Sequence, residues 1–123
     1  MSHHLQNLAE EDFCYLTTTG RISGRPHTIE IWFALHEQTI YMLSGGRDRS
    51  DWVRNIQADP RVSVELGEET YEAKAHVIDP DAPEDALARE LLVTKYKDSE
   101  DDLDQWGRTS LPVVITFAED GAN

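Results

Sequence analysis

Apolar and polar residues alternate with a period of two along much of this chain, and the alternating runs predict strands. Phe13 to Thr19 is rich in aromatic and β-branched residues. His27 to Leu35 places Ile29, Ile31 and Phe33 on one face and Thr28, Glu30 and Trp32 on the other. A glutamate in mid-strand has to face solvent or a polar cavity. Thr39 to Leu43 is a third strand. Arg61 to Leu66 and Thr70 to Ile78 form a hairpin around Gly67-Glu68-Glu69. Val62, Val64 and Leu66 alternate in one arm, and Tyr71, Ala73, Ala75 and Val77 in the other. Leu111 to Phe117 is the last strand.

Helical spacing is confined to short stretches. Leu5 to Asp12 puts Leu5 and Leu8 on one face. Ser50 is placed to N-cap a helix over Asp51 to Ala58, with Asp51 favourable in its first turn and Pro60 as its stop. Pro83 starts a helix over Glu84 to Tyr96, with Leu87, Leu91, Leu92 and Val93 apolar. Residues 98–104 read as an acidic, exposed link. Turns fall at Gly20–Arg25, His36–Gln38, Ser44–Arg49 and Asp79–Pro83. The sum is a mainly β (α+β) chain of six strands with short helices. At 123 residues it is one domain, 1–123, best accommodated as a small barrel with a helix packed on it.

Charge narrows the partners. A formal net charge of −13 argues against nucleic acid and against an anionic membrane surface. No apolar run is long enough to span a bilayer, and no signal-peptide pattern opens the chain. Cys14 is the only cysteine and lies in an apolar run, as expected of a buried, inert thiol in a reducing cytoplasm. His3 and His4 look like a start-site or tag remnant. The acidity is uneven. Residues 1–20 balance at −3, residues 21–61 at +1 and residues 62–123 at −11. The one stretch that is not net acidic holds six arginines: Arg21, Arg25, Arg47, Arg49, Arg54 and Arg61.

That stretch also holds the candidate chemistry. The turn Gly20-Arg21-Ile22-Ser23-Gly24-Arg25, followed by His27, offers cations and hydroxyls. The turn Ser44-Gly45-Gly46-Arg47-Asp48-Arg49 offers unblocked backbone N–H groups just before a helix N-terminus. Such an arrangement is a ready anion site. Each turn has an ordinary explanation too, as a polar hairpin tip or as a strand-to-helix bend. Trp52 and Asn55 stand three apart and share a helix face. Neither turn is a Walker or Rossmann motif. The histidines lack metal-ligand spacing, and there is no G-x-S-x-G elbow or Cys–His pair. Without its own nucleophile or metal, the chain needs a cofactor for redox work.

The segment Leu16-Thr17-Thr18-Thr19-Gly20-Arg21-Ile22-Ser23-Gly24-Arg25-Pro26-His27-Thr28, followed by Trp32-Phe33, resembles the opening of the deazaflavin-dependent nitroreductase and quinone reductase family. Gly45-Gly46, Trp52-Val53-Arg54-Asn55-Ile56 and Ala58-Asp59-Pro60-Arg61-Val62 resemble its second signature, and Leu111-Pro112-Val113-Val114 its closing strand. The resemblance implies a split β-barrel of the pyridoxamine 5'-phosphate oxidase type, a homodimer in the wider superfamily. It also implies coenzyme F420, a deazaflavin with a phosphate and an oligoglutamate tail. The implied reaction is hydride transfer from the reduced cofactor to a small quinone, nitro or enone acceptor. By the same resemblance Arg21, Ser23 and His27 serve the phosphate or tail; Arg25, Arg47 and Arg49 are this chain's further cations nearby. Ser44, Gly45 and Gly46 approach the ring and phosphate, and Trp52 and Asn55 support that loop. Tyr96 and Trp106 roof the substrate pocket, with Tyr96 or solvent as the proton donor. Three departures stand out. His27 occupies a position where the family often has arginine, Ser44 meets Gly45 with no lysine between them, and Ser50 stands where the family often has proline, two before Trp52. They leave FMN open as the alternative cofactor, with either turnover or a carrier role.

Overall fold

The protein is described from a computed structural model, over residues 8–97 and 103–117. Ten elements follow one another in these residues: β1 (Cys14–Thr19), β2 (Pro26–Ile31), β3 (Ala34–His36), β4 (Thr39–Ser44), α1 (Asp51–Ala58), β5 (Arg61–Leu66), β6 (Glu69–Val77), α2 (Pro83–Lys95), α3 (Leu103–Thr109) and β7 (Leu111–Phe117). A single 3₁₀ turn, Arg47–Arg49, leads into α1. The strands make one curled sheet in the order β2-β1-β5-β6-β7-β4-β3, and every pairing is antiparallel.

The expected alternation sets the register. Leu16 stands opposite both Ile29 and Val64, Val62 opposite Ala73, and Ala75 and Ile40 both opposite Ile115. These residues line the inside of the curl. Leu16, Phe33, Ile40, Met42, Val64, Leu66, Val113 and Ile115 are wholly buried there. Ala73 and Ala75 share this cluster with Ile56 from α1. Their small side chains leave the room that a helix crossing the mouth of a half-barrel requires.

β4 is buried on both faces. Ile40 and Met42 point into the curl, while Tyr41 and Leu43 meet a second cluster built with α2 and α3 from Ala88, Leu92, Tyr96 and Leu103. Among the described residues no helix lies on the outside of the opposite half of the sheet, and Phe13 and Tyr15 stand exposed there in edge-to-face contact, ring centroids 5.6 Å apart.

Three expectations require correction. The single strand over His27–Leu35 is two strands, which raises the count from six to seven. β2 pairs with β1 and β3 with β4, at opposite edges of the sheet, so Trp32-Phe33 is the crossing between them. Alternation is blind to this break because Phe33 stays on the inner face through it. The acidic link over 98–104 ends earlier than expected, because Leu103 is buried and opens α3; residues 98–102 lie outside the described residues. The helix over Leu5–Asp12 is only partly within them, and there Leu8–Glu10 forms a turn. His3 and His4 also lie outside the described residues.

Candidate functional site

β1 turns into β2 through a tight hairpin. The Gly20 N–H donates to the Arg25 carbonyl at 2.8 Å and the Gly24 N–H to the Gly20 carbonyl at 2.9 Å. Gly24 takes φ +75° with open space around it, a conformation that glycine adopts without strain. Gly20 matters for a different reason, the room it leaves for two side-chain ends. A Cβ there would lie 2.6 Å from His27 Nε2 and 2.8 Å from Ser23 Oγ. The His27 ring and the Ser23 hydroxyl therefore lie close over the Gly20 backbone.

Asn55, 3 % exposed, clips this hairpin to α1. Its Oδ1 accepts from the Arg21 N–H at 3.2 Å and from Arg21 Nη1 at 2.9 Å, and its Nδ2 donates to Thr18 Oγ1 at 3.0 Å. Arg21 Nη2 donates to Asp51 Oδ1 at 3.3 Å. The guanidinium is thus oriented by one buried amide and one carboxylate that is itself 86 % exposed. Between hairpin and helix lies a cleft of about 470 Å³, lined by Gly20, Arg21, Ser23 and His27 on one side and by Asp51, Trp52 and Asn55 on the other. That volume falls in the range of small-molecule sites. Of the residues singled out from the sequence, Arg21, Ser23, His27, Trp52 and Asn55 meet here. Arg25 does not line the cleft. Its N–H donates to Ser23 Oγ at 3.1 Å, and the residue stands exposed at the tip.

Ser44, Gly45, Gly46 and Arg47 form a second group at the other side of the α1 N-terminus. Ser44 Oγ donates to the Arg47 carbonyl at 3.0 Å and lies 2.8 Å from Ser50 Oγ. Ser50 sits at the N-cap position but makes no side-chain cap bond. The Ser50 hydroxyl is turned to Ser44 instead of capping α1. Gly46 has φ −82° and ψ 2°, and Arg47 follows at φ 55°. This right-then-left-handed pair turns successive N–H groups toward one side, the concavity in which anions are held. The Arg47 side chain points elsewhere, its Nη1 donating to the Thr109 carbonyl at 2.6 Å.

Trp106 completes the second group from α3. A Cβ on Gly45 would lie 3.7 Å from Trp106 Cδ1 and 4.0 Å from Ser110 Oγ. Trp106 meets Trp32 edge-on at 5.6 Å, and Trp32 stacks on Tyr96 at 4.1 Å with the rings 6° apart. This aromatic wall contains both residues expected at the substrate roof. The Tyr96 hydroxyl, however, is committed to backbone. It accepts from the Phe33 N–H at 3.1 Å and lies 2.8 Å from the Asp12 carbonyl and 3.0 Å from the Phe33 carbonyl. Burial pushes its pKa up to about 12.

Thr18 and Ser110 were not among the residues singled out from the sequence. Thr18 had a signal, a hydroxyl at an inward position of β1 after Cys14 and Leu16. Ser110 had none. It is wholly buried, and its hydroxyl is the one buried side-chain oxygen among the described residues without a hydrogen-bond partner.

Solved structures share this architecture. A conserved hypothetical protein from Mycobacterium tuberculosis superposes with a TM-score of 0.74 at 21 % identity, over 95 % of this chain and 80 % of that one. A reductase dependent on reduced F420, FDR-A, gives 0.68 at 22 % identity over 88 % and 95 %. A protein of Listeria innocua described as a pyridoxamine 5'-phosphate oxidase gives 0.68 at 16 % identity over 94 % and 90 %. These likenesses establish the split-barrel fold. The sequence itself goes further: residues 2–118 match the model of the F420H(2)-dependent quinone reductase family, and the chain belongs to that family of oxidoreductases, whose cofactor is coenzyme F420.

Proposed function

We propose that this chain binds reduced F420 along α1 and delivers its hydride to a small electron-poor acceptor, a quinone, nitro compound or enone, against the aromatic wall. The observation that carries the reading is the Asn55 clip. It fixes the Arg21 guanidinium at the edge of a cleft that also presents the Gly20 backbone, the Ser23 hydroxyl and the Trp52 indole. A guanidinium fork with a hydroxyl beside it suits a phosphate oxygen, and an indole suits a flat ring.

The residues present fit the cofactor. Gly45 leaves a gap against Trp106 that a side chain would fill, and the unpartnered Ser110 hydroxyl lies behind it. Arg21, Ser23 and His27 would hold the phosphate, and Ser44, Gly45 and Gly46 would approach the ring. Bound there, the reduced deazaflavin supplies the hydride from its C5. Trp106 and Trp32 orient the acceptor and exclude water from one side. With the Tyr96 hydroxyl committed to backbone, its ring face is its contribution to the wall, and solvent supplies the proton. No side chain has to change charge during the transfer. The 1–123 chain acts as one domain, and the uncovered outer face of β1, β2, β5 and β6, with Phe13 and Tyr15 exposed, suits pairing with a second copy.

Titration of the purified protein with F420, followed by cofactor absorbance and tryptophan fluorescence, tests the reading. Saturable binding followed by oxidation of the reduced cofactor by a quinone is expected. No binding at tens of micromolar sinks it.

A further inference from the structure

Asp51 does not suit a general phosphate site. Its carboxylate lines the cleft and pairs with Arg21 at 3.3 Å, yet it is 86 % exposed and so is held by no packing. Among the cleft-lining residues, Arg21 and Asp51 are the fixed opposite charges and His27 is the only other titratable group. With His27 neutral, the lining carries no net charge. The additional arginines lie outside this balance. Arg25 stands at the hairpin tip, Arg47 donates to the Thr109 carbonyl and Arg54 Nε donates to the Asp48 carbonyl at 3.3 Å.

We infer that Asp51 sets the cleft to accept a phosphodiester and to disfavour a phosphomonoester. The inference rests on the cofactor reading of the same cleft. A phosphodiester, as in F420, carries one negative charge, whereas a phosphomonoester, as in FMN, carries about 1.5 to 2 at neutral pH. Either anion approaching Arg21 comes close to the Asp51 carboxylate. Repulsion at this short range scales with the charge on the phosphate group facing Asp51, so the second charge of a monoester is opposed without a second arginine to offset it. The Arg21–Asp51 contact also leaves both Asn55 bonds to Arg21 in place if the carboxylate swings away. A monoanion can therefore displace Asp51 while the guanidinium stays aimed.

The test is a set of dissociation constants for F420, FMN and uncharged riboflavin, measured by fluorescence at low and at physiological salt. The proteins are the wild type, Asp51→Asn and Asp51→Glu. The wild type is expected to prefer F420 over FMN. Asp51→Asn should tighten FMN by roughly three- to tenfold more than it tightens F420, an amount set by one unit charge at short range near water. Riboflavin should not respond, Asp51→Glu should keep the wild-type preference, and the difference should shrink with salt. Binding of F420 with equal changes for F420 and FMN in Asp51→Asn overturns this inference alone. Binding of neither ligand by either protein overturns it together with the cofactor reading. A change for riboflavin as large as that for FMN overturns it as well, because shape rather than charge would then be responsible.

Discussion

The hydroxyl of Tyr96 meets both backbone polar groups of Phe33, at 3.1 Å from its nitrogen and 3.0 Å from its oxygen. Phe33 is the residue at which the chain leaves one sheet edge for the other, so neither strand ladder satisfies it. The last turn of α2 supplies what the ladder cannot. Lys95 Nζ adds a bond to the same carbonyl at 2.9 Å and sits 3.6 Å over the Phe33 ring. Removing only the hydroxyl, in Tyr96→Phe, leaves the buried Phe33 N–H unpaired and should lower stability by about 1–3 kcal/mol. Urea unfolding measures this. Because the ring survives, the affinity for F420 should hold; a large loss of affinity with unchanged stability would mean that the hydroxyl serves the ligand instead.

Lys95 gives the protein a pH dependence of definite sign. Burial draws its pKa down from 10.5 to about 8. Between these values the unfolded chain binds a proton that the folded chain has released, so this residue's contribution to stability rises as pH goes from about 8 to 10.5. Cys14, pushed by burial from 9.0 up to about 12, acts in the opposite sense from pH 9 upward. The Lys95 share is therefore read as a difference. Stability of the wild type relative to Lys95→Met should increase from pH 8 to pH 10.5 in chemical denaturation. A flat difference would show that the ammonium reaches water.

Asn55 joins three elements through one amide, and truncating it unlinks them. Asn55→Ala leaves Thr18 Oγ1 and the Arg21 N–H without their partner and frees the guanidinium. A loss of about 1–3 kcal/mol is expected from the unsatisfied buried groups. A drop in F420 affinity of about tenfold should follow from the lost orientation. Calorimetric titration under conditions where the variant is fully folded separates the two effects.

Gly46 is constrained by a single neighbour, Ser50. At Gly46 a methyl would lie 2.5 Å from Ser50 Oγ, the end of a short side chain. Gly46→Ala should therefore displace Ser50 and break its contact with Ser44, and most of the damage should disappear in a Ser50→Ala background. Thermal unfolding of the four proteins of that cycle decides it. Additive losses would place the constraint in the backbone.

His27 lies where a fixed cation would strengthen anion binding. His27→Arg should tighten F420 and steepen the fall of affinity with salt, provided the longer side chain still clears Gly20. His27→Ala should weaken binding. Equal affinities for all three proteins would remove His27 from the ligand's surroundings.

The sequence made the barrel legible where side chains obey a period of two. The alternation of Val62, Val64 and Leu66, and of Ala73 and Ala75, marks the faces of β5 and β6 that line the core. The sequence hid the break at Trp32-Phe33, because the inward residue of the crossing continues the alternation of β2. It also hid α3, whose Leu103 follows an acidic run that reads as solvated chain. Arg21, Ser23, His27, Trp52 and Asn55, singled out in the sequence, meet at one cleft. What their roles would be was not legible. That Arg47 is spent on the Thr109 carbonyl, and that Tyr96 turns its hydroxyl to backbone, depends on contacts 62 and 63 residues away in sequence.

The sheet's outer strands, β2 and β3, are separated in sequence only by Trp32 and Phe33. Three peptide units span at most about 11 Å, so the two free edges of a seven-stranded sheet are tethered beside one another. A sheet closed in this way by covalent chain instead of by hydrogen bonds resists fraying at either side. Peeling β2 away pulls on the crossing that anchors β3, and the reverse holds too. The same tether keeps both edges from lying flat and open, the shape on which foreign strands are templated. Two residues of chain thus give an incomplete barrel much of the protection of a complete one.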